Sequence, residues 1–258
     1  MISDAQYQRD NNLATRIAFH EDYTSPYVDF SHWVMDYLPL SAGARVLELG
    51  CGNGEFWARN AARLPKNLTL VLTDSSAGMV EAAEKRLAAA GVSATYQVMS
   101  AERPFADNEG FDLILAKHML YHVADRPSAL SASKNLLRPG GWFCVTTNSG
   151  SYMKQLQALL TEERVEWYSS FTDEFTLENG AEQLTNHFSD IELVTLDGQL
   201  VVPRADAVVE YIKSTASLFP EPHAVLEACD DIRSKIQAVI DHTGAFTISK
   251  QAGLFRCQ

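Results

Sequence analysis

Val46-Leu47-Glu48-Leu49-Gly50-Cys51-Gly52-Asn53-Gly54 is the stretch on which the fold turns. Positions 46–49 read as a short buried strand, three glycines follow at every second position, and 55–64 reads as a helix. Glycine is required where the backbone turns with positive φ, or where it approaches a ligand with no Cβ in the way. A strand, a glycine turn and a helix N-terminus together build a nucleotide pocket at the carboxyl edge of an α/β sheet. The spacing is Gly-x-Gly-x-Gly rather than Gly-x-Gly-x-x-Gly, and the acidic Glu48 stands two residues ahead of the first glycine. Taken alone, the motif also fits an ordinary tight strand-to-helix turn.

Outward from that stretch, apolar runs at 44–49, 68–73, 94–98, 111–116 and 142–147 predict strands, with helices at 54–64, 76–90 and 126–137. Alternation with crossovers of this length implies a parallel sheet covered on both faces, an α/β doubly wound fold. Ala82, Ala83, Ala88, Ala89 and Ala90 strengthen the second helix, and Gly91 stops it. Residues 1–40 read as two helical pieces, the first carrying Leu13, Ile17 and His20, with a break near Pro26. The second places Trp33, Val34, Tyr37 and Leu38 near one face and stops at Pro39. Beyond 150 the pattern predicts helices at 153–164, 180–188, 205–214 and 224–241. Strands at 191–196 and 200–202 are expected to meet at an Asp197-Gly198 turn, and short strands at 245–249 and 253–257 close the chain.

Five motifs in order resemble the class I S-adenosylmethionine-dependent methyltransferases over residues 44–147. Glu48-x-Gly50-x-Gly52-x-Gly54 resembles the family's first motif, and Asp74-Ser75 with Met79 resembles the end of its second strand. Ser100-Ala101-Glu102 before Pro104-Phe105 resembles the loop after the third strand. Phe111-Asp112-Leu113-Ile114-Leu115-Ala116 and Leu136-Leu137-Arg138-Pro139-Gly140-Gly141 resemble the fourth strand and the turn before the fifth. The resemblance implies a Rossmann-like, mostly parallel seven-stranded sheet completed by an antiparallel strand, in a single domain over 1–258. Residues 1–40 would be an N-terminal helical lid or a cover for the sheet edge, 41–150 the cofactor-binding core, and 151–258 the sheet completion and substrate cap.

It also implies S-adenosyl-L-methionine as cofactor and S-adenosyl-L-homocysteine as product. The loop Gly50, Cys51, Gly52, Asn53 and Gly54 would admit the methionine end, with Glu48 balancing its positive charge. Asp74 would accept hydrogen bonds from the ribose hydroxyls or cap the following helix; Ser75 lies beside it and Met79 would cover the adenine. Ala101 and Glu102 would lie near the adenine amine; many relatives carry Asp where this chain has Ser100, which weakens that assignment.

Lys117-His118-Met119-Leu120-Tyr121-His122-Val123 follows the fourth strand, where the sulfonium should sit, so Lys117 and Met119 join the cofactor side. Similar turns occur in small-molecule methyltransferases, those of quinone biosynthesis included. His118 and His122 share one face if the segment is helical, and either could take a proton from an oxygen or nitrogen nucleophile. Both could equally be positioning or packing groups, because methyl transfer from an activated donor needs alignment and exclusion of water more than a base. His20 and Tyr23 are lid candidates for the same work. The histidine spacing suits a metal, yet no acidic or cysteine partners stand beside it in sequence, so none is expected.

Composition narrows the partners. A net charge of −12, from 33 acidic and 21 basic residues with no basic run, argues against nucleic acid and anionic membranes. Four cysteines without a Cys-x-x-Cys pair, and an N-terminus unlike a targeting peptide, point to a reducing cytoplasm. The expected enzyme methylates an O, N or C atom of a small molecule as a monomer or homodimer. Residues 116–119 do not follow the Asn/Asp-Pro-Pro-Tyr/Phe pattern of nucleobase and glutamine amine methyltransferases. Aromatics past 165 (Trp167, Tyr168, Phe171, Phe175, Tyr211, Phe219) hint at an apolar or aromatic acceptor. Two rivals stay open: an NAD(P)-dependent Rossmann oxidoreductase, and a non-catalytic S-adenosylmethionine-binding protein.

Overall fold

The structure, a computed structural model, describes residues 4–102, 109–166 and 172–258. Its strands are β1 (Thr24–Ser25), β2 (Arg45–Leu49), β3 (Thr69–Asp74), β4 (Thr95–Val98), β5 (Phe111–Lys117), β6 (Leu137–Asn148), β7 (Ile191–Val202) and β8 (Phe246–Cys257). The helices are α1 (Asp4–Tyr23), α2 (Phe30–Tyr37), α3 (Glu55–Arg59), α4 (Ala77–Ala89), α5 (Arg126–Leu136), α6 (Lys154–Glu162), α7 (Gly180–Thr185), α8 (Ala205–Thr215), α9 (Pro222–Glu227) and α10 (Cys229–Thr243). The strands hydrogen-bond in the order β1-β7-β8-β6-β5-β2-β3-β4. This is the expected Rossmann-like, mostly parallel α/β sheet, with β8 returning antiparallel to β6 (Phe143↔Cys257 through Asn148↔Ala252). The eighth strand is the two-residue β1, paired antiparallel with β7 (Thr24↔Leu200).

The chain divides into two compact units: residues 30–150, 171–195 and 252–258 in one, and 1–29, 151–170 and 196–251 in the other. In the first, the pleat sorts the strands' side chains onto two faces. Leu47, Leu49, Ile114, Ala116, Phe143 and Val145 pack on one face, with Phe175 and Phe188. Val46, Leu70, Leu72, Leu113, Leu115 and Cys144 pack on the other, with Val34 and Trp57. Successive Cβ atoms point to opposite faces, so an unbroken apolar run is what a strand buried on both sides requires. The chain runs from β2 outward to β3 and β4, then returns to β5 on the other flank of β2. The strand order therefore reverses between β2 and β5, and open α/β sheets hold ligands outside the carboxyl ends of the strands at such a point.

The second unit has its own core, in which Phe19, Leu156, Leu160, Val208, Ile212, Val225, Ile232, Ile236 and Ile248 are buried together. The side chain of Leu13 and residues 167–171, with Trp167, Tyr168 and Phe171, lie outside the described residues, as do Pro104 and Phe105. Among the described residues no helix is long and apolar enough to cross a membrane.

Several local expectations are corrected. Asp197-Gly198 does not turn: β7 runs unbroken through it. A tight primed hairpin turn needs positive φ, and Gly198 is absent from the positive-φ glycines. Here β8 holds the pair in the sheet instead, with Gln251 donating to Asp197 Oδ1 and Gly198 lying against the Lys250 carbonyl. The two short terminal strands are likewise one strand, β8. The helix expected over 54–64 ends at Arg59, and a 3₁₀ turn, Ala61–Arg63, follows. Asn60 at the junction is fully buried, its amide donating to the Ser31 and Phe56 carbonyls. The helix expected over 224–241 is α9 and α10 with a junction at Ala228.

Candidate active site

All three glycines of the loop have positive φ: 66° at Gly50, 55° at Gly52 and 73° at Gly54. The reason differs at each. A Cβ on Gly54 would lie 2.6 Å from Leu87 Cδ1 and 3.0 Å from Ala83 Cα, so this glycine lets α4 close on the loop. A Cβ on Gly50 would meet Met119 Cβ and Cγ at 3.0 Å, which puts the segment after β5 against the first turn of the loop. Nothing lies within 4 Å of a Cβ on Gly52, so that backbone faces open space.

The loop is stitched to the end of β3. Cys51 N–H donates to the Thr73 carbonyl (2.8 Å), and Gly52 N–H donates to Asp74 Oδ2 (3.0 Å). Asp74 Oδ1 accepts from Ser76 N–H (2.9 Å), so the carboxylate bridges the glycine loop and the entrance to α4. Ser76, not Asp74, is the N-cap of α4, its Oγ accepting from Met79 N–H at 3.4 Å. Met79 itself is 37% exposed in the first turn of α4, an apolar side chain left open where a flat ligand could cover it. Ser76→Ala should lower stability by about 0.5–1 kcal/mol through loss of the cap, read as a shift in thermal midpoint. A larger loss would mean that the loop, and not only the helix end, depends on Ser76.

Glu48 is wholly buried beneath the loop. Trp57 Nε1 donates to its Oε2 (2.7 Å), while Oε1 is sealed from solvent and has no hydrogen-bond partner among the described residues. Burial pushes its pKa up to about 7, against the pull of the Lys117 ammonium and the Trp57 hydrogen bond, with the Asp74 charge adding to the rise. A buried carboxylate oxygen without a donor is costly, and a cationic group entering the loop would relieve it. Asn53 Oδ1 accepts from Glu55 N–H and starts α3. Cys51 is buried, with its thiol raised far above the ordinary range by burial first, then by Glu48 and Asp74.

Parallel pairing sets Leu49 beside Ala116, so Lys117 and His118 emerge next to Gly50. The helical reading of 118–122 does not hold. His118 has φ 50°, and only Leu120–His122 forms a 3₁₀ turn, so His118 and His122 do not share a helical face. A positive φ at a non-glycine residue is uncommon and costly. It is held here by the His118 N–H, shared between the carbonyl and Oγ1 of Thr146 (3.1 Å each), and by the His118 ring at 5.1 Å from Phe30. His122 packs edge-on to Tyr121, and burial lowers its pKa, which keeps it neutral at pH 7. Lys117 Nζ stands 6.0 Å from the centre of the Phe56 ring.

Glu102, expected near an adenine amine, has its carboxylate engaged: Oε1 accepts from Ala124 and Asp125 N–H (2.9 and 3.1 Å). Ser100 Oγ accepts from Glu102 N–H, leaving Ala101 as the partly buried turn between them. His20 and Tyr23 belong to the other unit. There His20 Nε2 lies 3.4 Å from Tyr152 Oη, and Tyr23 Oη accepts from Arg204. Phe175 is core of the sheet unit, while Tyr211 and Phe219 are core of the other. Sequence reasoning missed Trp57, Thr73 and Thr146. Each acts through a contact across the fold, and only Trp57, nine residues after Glu48, leaves a local trace.

A glycine loop at the switch point, an acid at the end of the neighbouring strand and a buried acid beneath the loop make up the candidate nucleotide site. Residues 47–145 match the family described as methyltransferase domain. That match is in keeping with the resemblance of the five motifs to S-adenosylmethionine-dependent methyltransferases. The ubiquinone biosynthesis O-methyltransferase of Thiobacillus denitrificans is 35% identical over 125 residues, 47% of this chain and 52% of that protein. The chain thus spans about half the length of that curated relative. Among solved structures, Haemonchus contortus phosphoethanolamine N-methyltransferase 2, bound to phosphomonomethylethanolamine and S-adenosylhomocysteine, superposes with TM-score 0.58 at 20% identity, covering 98% of this chain and 57% of that one. The [4+2]-cyclase SpnF does so with TM-score 0.56 at 14% identity, covering 97% and 96%. At these identities the likeness is one of fold alone.

Proposed function

We propose that the whole chain transfers a methyl group from S-adenosylmethionine to an O, N or C atom of a small organic molecule. The observation that carries this is the loop stitched to Asp74 over the unpartnered Glu48 oxygen. It offers an open glycine backbone, a carboxylate at the end of β3 and a buried anion, matched to the amino-acid end, ribose and positive charge of that nucleotide. When bound, the nucleotide supplies a methyl group already activated by a sulfonium. Asp74 holds the ribose hydroxyls, Met79 covers the adenine, and Glu48 faces the positive end. Ala101 contributes backbone near the base, whereas the Glu102 side chain orders the loop behind it.

The chain's share of the reaction is then to align the acceptor and to exclude water. His122, neutral at pH 7, is able to accept a proton from an acceptor hydroxyl or amine; His118 acts through its constrained backbone as a positioning group. The chain works as a monomer or homodimer. The test is calorimetry with S-adenosylhomocysteine and NAD, followed by transfer of labelled methyl to a metabolite extract. Micromolar binding of the first, none of the second, and labelled product are expected. Tight NAD binding would overturn the reading, and nucleotide binding without turnover across broad panels would reduce the chain to a binding protein.

A further inference from the structure

The unit formed by residues 1–29, 151–170 and 196–251 contains a polar cluster that packing alone does not explain. Lys250, from β8, is half-buried, and among the described residues its ammonium has one hydrogen-bond partner, Thr24 Oγ1 at 3.0 Å, and no carboxylate within ion-pair distance. Thr24 Oγ1 passes that contact on by donating to the His20 carbonyl. The His20 ring meets Tyr152 Oη through Nε2 at 3.4 Å, while its Nδ1 is sealed from solvent and has no partner among the described residues. Its neighbours are aromatic: Tyr211 stands edge-on to His20 at 5.6 Å, and Phe19 stacks on Tyr211 at 4.6 Å.

The charge balance is lopsided. Burial first, and the Lys250 charge second, pull the His20 pKa down to about 3, so the imidazole is neutral and the cluster carries the single positive charge of Lys250. Burial lowers the Lys250 pKa too. A half-buried cation normally has an anion beside it, because desolvation without pairing is expensive. An ammonium has three donors, and Thr24 takes one. A neutral histidine nitrogen adds one further unused hydrogen-bonding group, and the flat rings add an apolar wall.

We propose that Lys250, with His20 and Tyr152, binds an anionic oxygen group, carboxylate or phosphate, on a flat apolar body. The anion site rests on the cluster itself and not on the methyltransferase reading. It also gives His20 a role different from proton abstraction, since a base whose conjugate acid has so low a pKa removes protons poorly.

The test titrates the full-length chain with benzoate, phenyl phosphate and neutral benzamide by calorimetry, in the wild type and in Lys250→Met. Benzoate or phenyl phosphate should bind the wild type, the tighter of the two naming the headgroup, and should weaken at least tenfold in Lys250→Met; benzamide should not discriminate between the proteins. In parallel, acetic anhydride labelling of the wild type, read by peptide mass spectrometry, should show Lys250 protected by the same anion and not by benzamide. This second readout needs no variant to fold. Binding of neither anion, equal binding to both proteins, or no protection of Lys250 would overturn the proposal. S-adenosylhomocysteine is titrated alongside. Anion binding without nucleotide binding would end the methyltransferase reading and leave the anion site standing; the converse would end the site alone.

Discussion

Asp74→Ala is expected to weaken S-adenosylhomocysteine binding by about 100-fold, because a charge-assisted hydrogen bond contributes roughly 1.5–3 kcal/mol. Two losses add in the same direction. The ribose hydroxyls lose a charged acceptor, and the Gly52 and Ser76 N–H groups lose the oxygens that now hold the loop to β3. Asp74→Asn separates them. An amide keeps one acceptor oxygen, so part of the loop stitching persists while the charge is lost, and the expected weakening is about 10-fold on the same scale. Calorimetry on both variants, with a thermal melt to show that each is folded, gives the comparison. Undiminished affinity in a folded Asp74→Ala protein would mean that the ribose does not lie at the end of β3.

What could be read from the sequence follows from the range of the interactions involved. β2, β3, β5 and the second half of β6 were legible because burial on both faces forces continuous apolar runs, and the glycines because positive φ leaves little alternative. Asp197-Gly198 misled for a complementary reason: the pair has the chemistry of a turn, but pairing with β8 some fifty residues later outweighs local preference. His118 and His122 misled through their spacing. Four residues apart describes a helical face only where the backbone is helical, and the hold of Thr146 on the His118 amide lies 28 residues away. Asp74 shows the same limit within the site. Sequence offered ribose ligand or helix cap; the structure gives the cap to Ser76 and adds a brace for the loop that sequence did not offer. The anion-binding cluster drew on His20, Tyr152 and Lys250, and no sequence pattern links residues so far apart.

Glu48→Gln should move stability and binding in opposite directions, which few substitutions in a merely structural position would do. Burial raises the Glu48 pKa from 4.5 to about 7, so between those values the folded chain holds a proton that the unfolded chain has released. The contribution of Glu48 to stability is therefore full below pH 4.5, declines as pH rises through 7, and is lost above it. A difference of this size corresponds to about 3 kcal/mol. Gln cannot ionise, and its carbonyl can still accept from Trp57 Nε1. The variant should consequently be more stable than the wild type at pH 8, by about 1–3 kcal/mol once a weaker Trp57 hydrogen bond is allowed for. Its thermal midpoint should also lose the Glu48 share of the decline between pH 4.5 and 7. Nucleotide affinity should fall, because the buried negative charge that offsets the positive end is gone. In the wild type the two effects are one: a cation above the carboxylate favours its ionised form, so binding expels a proton below pH 7 and affinity drops toward acid. Thermal melts and calorimetry across about pH 5–8 measure both. A Glu48→Gln protein that is less stable at pH 8, or that binds S-adenosylhomocysteine as tightly as wild type with an unchanged pH profile, would show that the buried carboxylate serves the core and not the ligand.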